Sequence, residues 1–202
     1  MDENFQKLNN VIDIISKINY KSSLNISFKN TLRKFDKAEL FADLKKYIKY
    51  IKEFSIINLS DLEIGYRIKA IQSMLLKYDK YYPSTELDKC FNDVLGIMLI
   101  VDNYNDFKEF TRDNIKLIDM SKGKRVDDGY RAIHLYYQDD RKHYPVEIQL
   151  VTQRDRVFNE WLHTYVYKYK DNVIGIKLKE FYDNNLITNE KDFIRYLKEM
   201  IQ

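Results

Sequence analysis

Cysteine, proline and glycine are scarce in this chain of 202 residues, which holds one, two and five of them respectively. A lone Cys90 excludes an internal disulfide, and no Cys/His spacing fits a zinc site. So little Gly and Pro leaves no flexible linker to divide the chain, and no internal repeat is visible. No apolar run approaches the roughly 20 residues that a membrane-spanning helix needs. The opening MDENFQKLNNVIDIISKINY lacks the basic start and continuous apolar core of a secretion signal. The expectation is a cytoplasmic protein with no membrane contact. Charge of one sign is also scarce: 34 Lys and Arg against 31 Asp and Glu give +3. That bias is too small to imply nucleic acid or a membrane surface, yet it is compatible with a local basic patch facing a polyphosphate.

What is present is apolar and aromatic. Hydrophobic residues make up 45%, with 17 Tyr and 11 Phe, so the chain can bury a core and is not disordered. Phe5, Leu8, Val11, Ile12, Ile15 and Ile18 recur at helical spacing, predicting a helix over 4–19. Leu40, Phe41, Leu44, Ile48 and Ile51 predict a second over about 36–54, and SSLNISFKNTLRK between them is ambiguous. The pattern then changes. LEIGYRIKAI (62–71) reads as a short strand, 70–82 as a helix ending near Pro83, and DVLGIMLIV (93–101) as a buried strand. Residues 104–113 look helical and 115–119 could form a short strand. Alternation in YRAIHLYYQ (130–138) and YPVEIQLV (144–151) predicts two strands of a half-buried sheet joined by DDRKH (139–143). Helices are expected over 153–169 and near 175–184 and 189–201. The sum is a central sheet wrapped by helices.

Several polar residues fall at telling places. Glu147 and Gln149 share one strand face, flanked by Pro145 and Val151. A carboxylate there either faces solvent at a sheet edge or needs a partner such as a metal, a base or water. Asp93, just before the apolar run, is either an ordinary strand-start carboxylate or a second metal ligand. Mg²⁺ favours one or two protein carboxylates plus substrate phosphates. Arg67, Lys69 and Lys77 form either an ordinary basic surface or a set converging on one pocket mouth. Asp127 and Asp128 before Gly129 suit a turn. Cys90 suits the core, and His143 suits a solvated hairpin. His163 could be a packed core histidine or a site residue. KKYIKYIKEF (45–54), with its two tyrosines, suits a helix face better than a nucleic-acid surface.

As an ordered set, YRIKAIQSMLLK, NDVLGIMLIV, DDGYRAIHLYY and VEIQLVT…WLHTYVYKY resemble the synthetase domain of the RelA/SpoT family, the (p)ppGpp synthetases, in its small stand-alone form. The resemblance covers about residues 60–170. It implies an α+β, nucleotidyltransferase-like mixed sheet of about five strands flanked by helices. The segments would be 1–55 (helical), 56–170 (synthetase-like) and 171–202 (helical). The implied reaction is Mg²⁺-dependent transfer of pyrophosphate from ATP to the 3′-hydroxyl of GDP or GTP. By position, Arg67 would stack on adenine, Lys69 and Lys77 would hold donor phosphates, and Ser73 would add a hydroxyl hydrogen bond. Asp93 and Glu147 would ligate Mg²⁺, and Glu147 would also deprotonate or orient the 3′-hydroxyl. Tyr130 would stack on the acceptor base, with His134 and Gln149 lining its phosphate and ribose.

The chain departs from the family's pattern at specific positions. Met98 stands on the donor side where an Arg is usual, Val151 where EIQ is followed by an Arg, and Leu162 where a helix carboxylate is usual. The segment SKGKRVDD before Gly129 is shorter than usual, with Lys122, Lys124 and Arg125 as candidate replacement cations. Two further readings therefore stand beside guanosine alarmone synthesis. One is a toxin-like enzyme that pyrophosphorylates the tRNA 3′ end or an adenine nucleotide. The other is a non-catalytic nucleotide-binding module. A homo-oligomer built through the terminal helices is compatible with the resemblance.

Overall fold

A computed structural model describes residues 3–59, 64–169 and 171–201. The helices are α1 (Glu3–Ile15), α2 (Lys37–Asn58), α3 (Ile71–Tyr81), α4 (Leu87–Cys90), α5 (Gln153–Trp161), α6 (Asn172–Asp183) and α7 (Glu190–Ile201). The strands are β1 (Gly65–Ile68), β2 (Leu95–Val101), β3 (Ile115–Asp119), β4 (Ile133–Tyr137) and β5 (Val146–Thr152). They form a five-stranded sheet in the order β1-β2-β5-β4-β3, so the chain is α+β with the expected number of strands. Leu62 and Glu63, with which the expected strand over 62–71 begins, lie outside the described residues. Among the described residues no helix is long and apolar enough to cross a membrane.

Backbone contacts group the chain into two compact units. The first comprises Met1–Leu99, Thr111–Leu117 and Leu135–Gln149. Its core takes Leu8, Val11, Ile12 and Ile15 from one face of α1 and Leu40, Leu44 and Ile51 from α2. The Asp36 side chain caps α2 by accepting from the Glu39 amide, which satisfies one of the unpaired donors at a helix start. The ambiguous stretch at 22–34 is ordered by a distant group. Asp43 on α2 is 1% exposed and accepts from the Tyr20 and Tyr144 hydroxyls, the Ser22 hydroxyl and the Ser23 amide. The ring of Tyr144 stacks on that of Tyr47 at 4.6 Å. Cys90 is fully buried, as expected, and burial pushes its thiol up to about 11.

The second unit comprises Ile100–Phe110, Ile118–His134 and Leu150–Gln202. Phe158, Leu162, Leu178, Phe193 and Leu197 form its core. Gly129 has φ +87°, and a Cβ there would stand 2.4 Å from the Gly175 carbonyl oxygen. The turn of Asp127, Asp128 and Gly129 therefore lies directly against α6, an approach that only glycine permits. Lys179 is 7% exposed at its side chain and pairs with Asp155 at 3.1 Å and Asp183 at 2.6 Å. Asp155 also accepts from the Tyr104 hydroxyl at 2.8 Å, so the buried ammonium and carboxylate are both satisfied.

Four expectations are corrected. The helix over 104–113 is only a short 3₁₀ turn at Asn105–Phe107. The Asn103 side-chain oxygen accepts from the amides of Asn105 and Asp106, which caps the start of the turn, and the backbone bonds that follow run three residues back, from Lys108 to Asn105 and from Phe110 to Phe107. The helix over 153–169 is α-helical to Trp161, then widens to a π turn at Leu162–Val166 and tightens to 3₁₀ at Tyr167–Tyr169. There the Thr164 hydroxyl donates to the Glu160 carbonyl. The strand over 130–138 starts only at Ile133, because the Asn159 side chain bonds both the amide and the carbonyl of Arg131. Finally, the sheet is not half-exposed at β4 and β5. Ile133, His134, Leu135 and Tyr137 are buried, as are Val146, Glu147, Ile148, Leu150 and Val151.

Candidate functional site

The first unit holds two clusters, each centred on a buried carboxylate. β5 is the central strand of the sheet, so Glu147 does not face solvent at an edge; it is 4% exposed. Its Oε1 accepts from the Tyr136 hydroxyl at 3.2 Å and its Oε2 from Gln149 Nε2 at 2.8 Å. Arg67 adds charge. β1 pairs antiparallel with β2 so that Arg67 lies opposite Gly96. A Cβ on Gly96 would sit 3.3 Å from Arg67 Nε and 3.5 Å from Glu147 Oε2. The bare glycine thus leaves room for the guanidinium to lie over the sheet, with Nη2 at 3.6 Å from Glu147 Oε2. That separation is a Coulombic contact rather than a hydrogen bond.

The second cluster lies where β1 runs into α3. Lys69 follows β1, and its amide donates to the Val94 carbonyl at 2.9 Å. Its Nζ binds Asp93 Oδ2. Lys77, on α3, binds Asp93 Oδ1 at 2.9 Å and Asn92 Oδ1 at 3.1 Å. Burial pushes the Asp93 carboxyl up, but the Lys77 and Lys69 ammoniums outweigh it and hold the group below the usual carboxylate range. Lys69 and Lys77 therefore converge, whereas Arg67 turns to Glu147 instead. Ser73 is exposed on α3, four residues before Lys77 and on the same helix face. Met98 is half-buried on β2, opposite Gly65.

The remaining predicted residues belong to the second unit. Tyr130 and His134 are 8% and 7% exposed, and the Tyr130 hydroxyl meets His134 Nε2 at 2.9 Å. Lys124 Nζ lies over the Tyr130 ring, 4.6 Å from its centroid, and pairs with Asp128 at 2.8 Å. Burial, with the charge of Asp128, pushes the Tyr167 phenol up. Asp127 serves the turn: it accepts from the Gly129 amide and takes both Arg131 terminal nitrogens, at 2.7 and 3.0 Å. Val151 and Leu162 are 2% and 0% exposed. His163 is exposed and meets Tyr167 edge to face at 4.8 Å, so it is not a packed core histidine. His143, in the first unit, stands 2.9 Å from Asp140.

Sequence reasoning missed Tyr136 and Gly96. Tyr136 shares the alternation of Tyr130 and His134, but a tyrosine is so ordinary in a strand that nothing marks it. Only the pairing of β4 beside β5 brings it to Glu147. Among the described residues no group of three or more His, Cys, Asp or Glu is arranged to hold a metal. A site built from one or two carboxylates and a ligand's phosphates does not need such a group.

No known family model matches the chain, and no curated protein matches it. Among solved structures it is similar to the small alarmone synthetase 1 from Bacillus subtilis, at 20% identity over 82% of this chain and 95% of that one, with a TM-score of 0.45. It is similar to the same protein bound to its product pppGpp, at 20% identity over 81% of this chain and 90% of that one, with a TM-score of 0.43. It is also similar to that protein bound to AMPCPP, at 18% identity over 81% of this chain and 92% of that one, with a TM-score of 0.40.

Proposed function

We propose that this chain is a pyrophosphokinase of the alarmone-synthetase kind, which moves pyrophosphate from ATP to the 3′-hydroxyl of GDP or GTP with Mg²⁺. The observation that carries the reading is the pair of carboxylate clusters, one gripped by Lys69 and Lys77 and the other faced by Arg67. A nucleoside triphosphate brings several negative charges, and its phosphoryl transfer needs cations where charge develops. Lys69 and Lys77 pass from Asp93 to the donor phosphates, and the Ser73 hydroxyl adds a hydrogen bond from the same helix face. Arg67 stacks on adenine through its planar guanidinium, and the Met98 thioether packs on the ring.

The donor set fits Mg²⁺ in its chemistry. Asp93 and Glu147 offer hard carboxylate oxygens, and Asp93 is held ionised. When bound, the ion supplies charge neutralisation at the phosphoryl group. Glu147 orients the 3′-hydroxyl and accepts its proton, a role that contributes about 10²–10⁴-fold. On the acceptor side, Tyr130 stacks on the base once Lys124 leaves its ring, His134 meets phosphate or ribose, and Gln149 lines the ribose while holding Glu147.

The test is purified protein with Mg²⁺, labelled ATP and, in turn, GDP, GTP, GMP, ADP, ATP and tRNA, with products identified by mass. A 3′-pyrophosphorylated guanosine nucleotide is expected. Label on tRNA or on an adenine nucleotide replaces the acceptor; the exposed Lys122 and Arg125 beside the turn are the cations such an acceptor would meet. Nucleotide binding with no product under any condition makes the chain a binding module. Glu147→Gln should abolish turnover with an unchanged circular dichroism spectrum, and retained turnover in that variant refutes the assigned role.

A further inference from the structure

The reaction just described gives Tyr136 no task, yet its phenol is a direct donor to the carboxylate on which that reaction turns. We infer that Tyr136 is a positioning residue: it fixes the plane of the Glu147 carboxylate, for the metal and for the acceptor hydroxyl. The inference rests on the proposed function.

The terminal torsion of a glutamate is broad, so rotamer preference does not set the carboxylate plane. Hydrogen bonds must set it. The Tyr136 hydroxyl takes Oε1 at 3.2 Å from β4, and Gln149 Nε2 takes Oε2 at 2.8 Å from the same strand as Glu147. Each oxygen thus has a donor on a different strand, and rotation about the last bond would strain both. Glu147 is 4% exposed, so bulk water cannot readily replace a lost donor.

The chemistry of the donor also matters. A phenol orients Oε1 without adding a second cation to the Arg67 guanidinium that faces Oε2 at 3.6 Å, whereas a lysine in its place would neutralise the carboxylate further and compete with a metal ion. Partners of this kind, one shell out from a metal ligand, typically cost about 10–100-fold in metal affinity or activity when removed.

The experiment compares wild type with Tyr136→Phe, which keeps the ring and deletes the hydroxyl. Two readouts are taken: steady-state kinetics with ATP and the accepted acceptor, and calorimetric titration of the nucleotide-free protein with Mn²⁺ alone. The expected result is a kcat lower by about 10–100-fold, a KM for ATP within about twofold, and Mn²⁺ affinity reduced by about tenfold. A ring that merely packs would leave all three unchanged. Wild-type kcat and wild-type Mn²⁺ affinity in Tyr136→Phe overturn the inference and leave the proposed reaction standing. Absence of turnover in the wild type with every acceptor overturns the proposed reaction instead. The Mn²⁺ titration then decides the positioning role by itself: weaker binding in the variant supports it, and equal binding overturns it.

Discussion

Replacing Asp93 with asparagine should strengthen, not weaken, the metal-free binding of a polyphosphate. With no ligand present, the cations assigned to the donor phosphates sit on Asp93: Lys69 on one oxygen and Lys77 on the other. An incoming phosphate chain must first take both ammoniums off a carboxylate whose side chain is only 11% exposed. A hydrogen bond to a charged group is worth about 1.5–3 kcal/mol net, and one between neutral groups about 0.5–1.5. Asparagine keeps one acceptor oxygen and puts an amide donor at the other position, so it relaxes one lysine's hold by roughly 1 kcal/mol and gives up the other's, roughly 2 kcal/mol, about 3 kcal/mol for the pair. At about 1.4 kcal/mol per decade, that is a Kd for inorganic tripolyphosphate lower by about 100-fold. The assay is isothermal titration with tripolyphosphate in EDTA at low salt, because the partly exposed lysines (22% and 20% at the side chain) are screened as ionic strength rises. Lys69→Met and Lys77→Met should each weaken the same binding. If Asp93→Asn binds the probe as weakly as wild type, or more weakly, with its circular dichroism unchanged, the carboxylate does not compete with phosphate and the reasoning fails.

The same cluster sets a pH dependence. The Asp93 carboxyl is held below its ordinary value of 3.8 because Lys77 and Lys69 outweigh its burial; a depressed carboxylate gives stability that is present above the ordinary value and is lost as pH falls through the folded one. Thermal melts should therefore lose stability below about pH 4 in wild type, with a shallower acid limb in Asp93→Asn. Restoring a carboxylate at Leu162 should harm rather than help: the side chain is fully buried within the second unit's core. Leu162→Glu is expected to lower unfolding free energy by about 3–5 kcal/mol in urea titrations, as an unpaired buried charge does, and unaltered stability would show that the site accommodates charge.

Local periodicity made much of the fold legible. β3 falls where IKLID placed it, and α1, α2, α6 and α7 follow their apolar spacing to within a few residues. What the sequence left open depends on contacts far away along the chain. Residues 22–34 carry no period because distant groups hold them: Asp43 takes Ser22 and Ser23, and backbone bonds tie Phe28 to Arg141 and Asp88, Leu32 to Thr85 and Asn30 to Leu87. The 104–113 segment has helical spacing, but its backbone bonds run only three residues back, from Lys108 to Asn105 and from Phe110 to Phe107, so it makes turns and not an α-helix. Alternation in β4 and β5 looked like a half-exposed hairpin. The sheet order instead places β5 at the centre, a topological fact that no spacing encodes. The site residues divide the same way. Lys69 and Lys77 could be grouped because they bracket one strand–helix unit, whereas their meeting on Asp93, the turn of Arg67 to Glu147 and the reach of Tyr136 to Glu147 come only from packing.

The three departures from the family's pattern bear on this division. Val151 and Leu162 are buried apolar side chains, and charge at such positions is costly unless paired. Their apolar character thus answers to packing. Met98 lies half-buried on β2 opposite Gly65, and its thioether neutralises no carboxylate. The partners of Asp93 and Glu147 include Lys69, Lys77, Tyr136, Gln149 and Arg67, and a valine, leucine or methionine side chain supplies neither a charge nor an N–H or O–H donor to them. Under the proposed function, the carboxylates and their cations are present whichever acceptor is used, so the acceptor panel discriminates among the readings more sharply than any single substitution at the carboxylates.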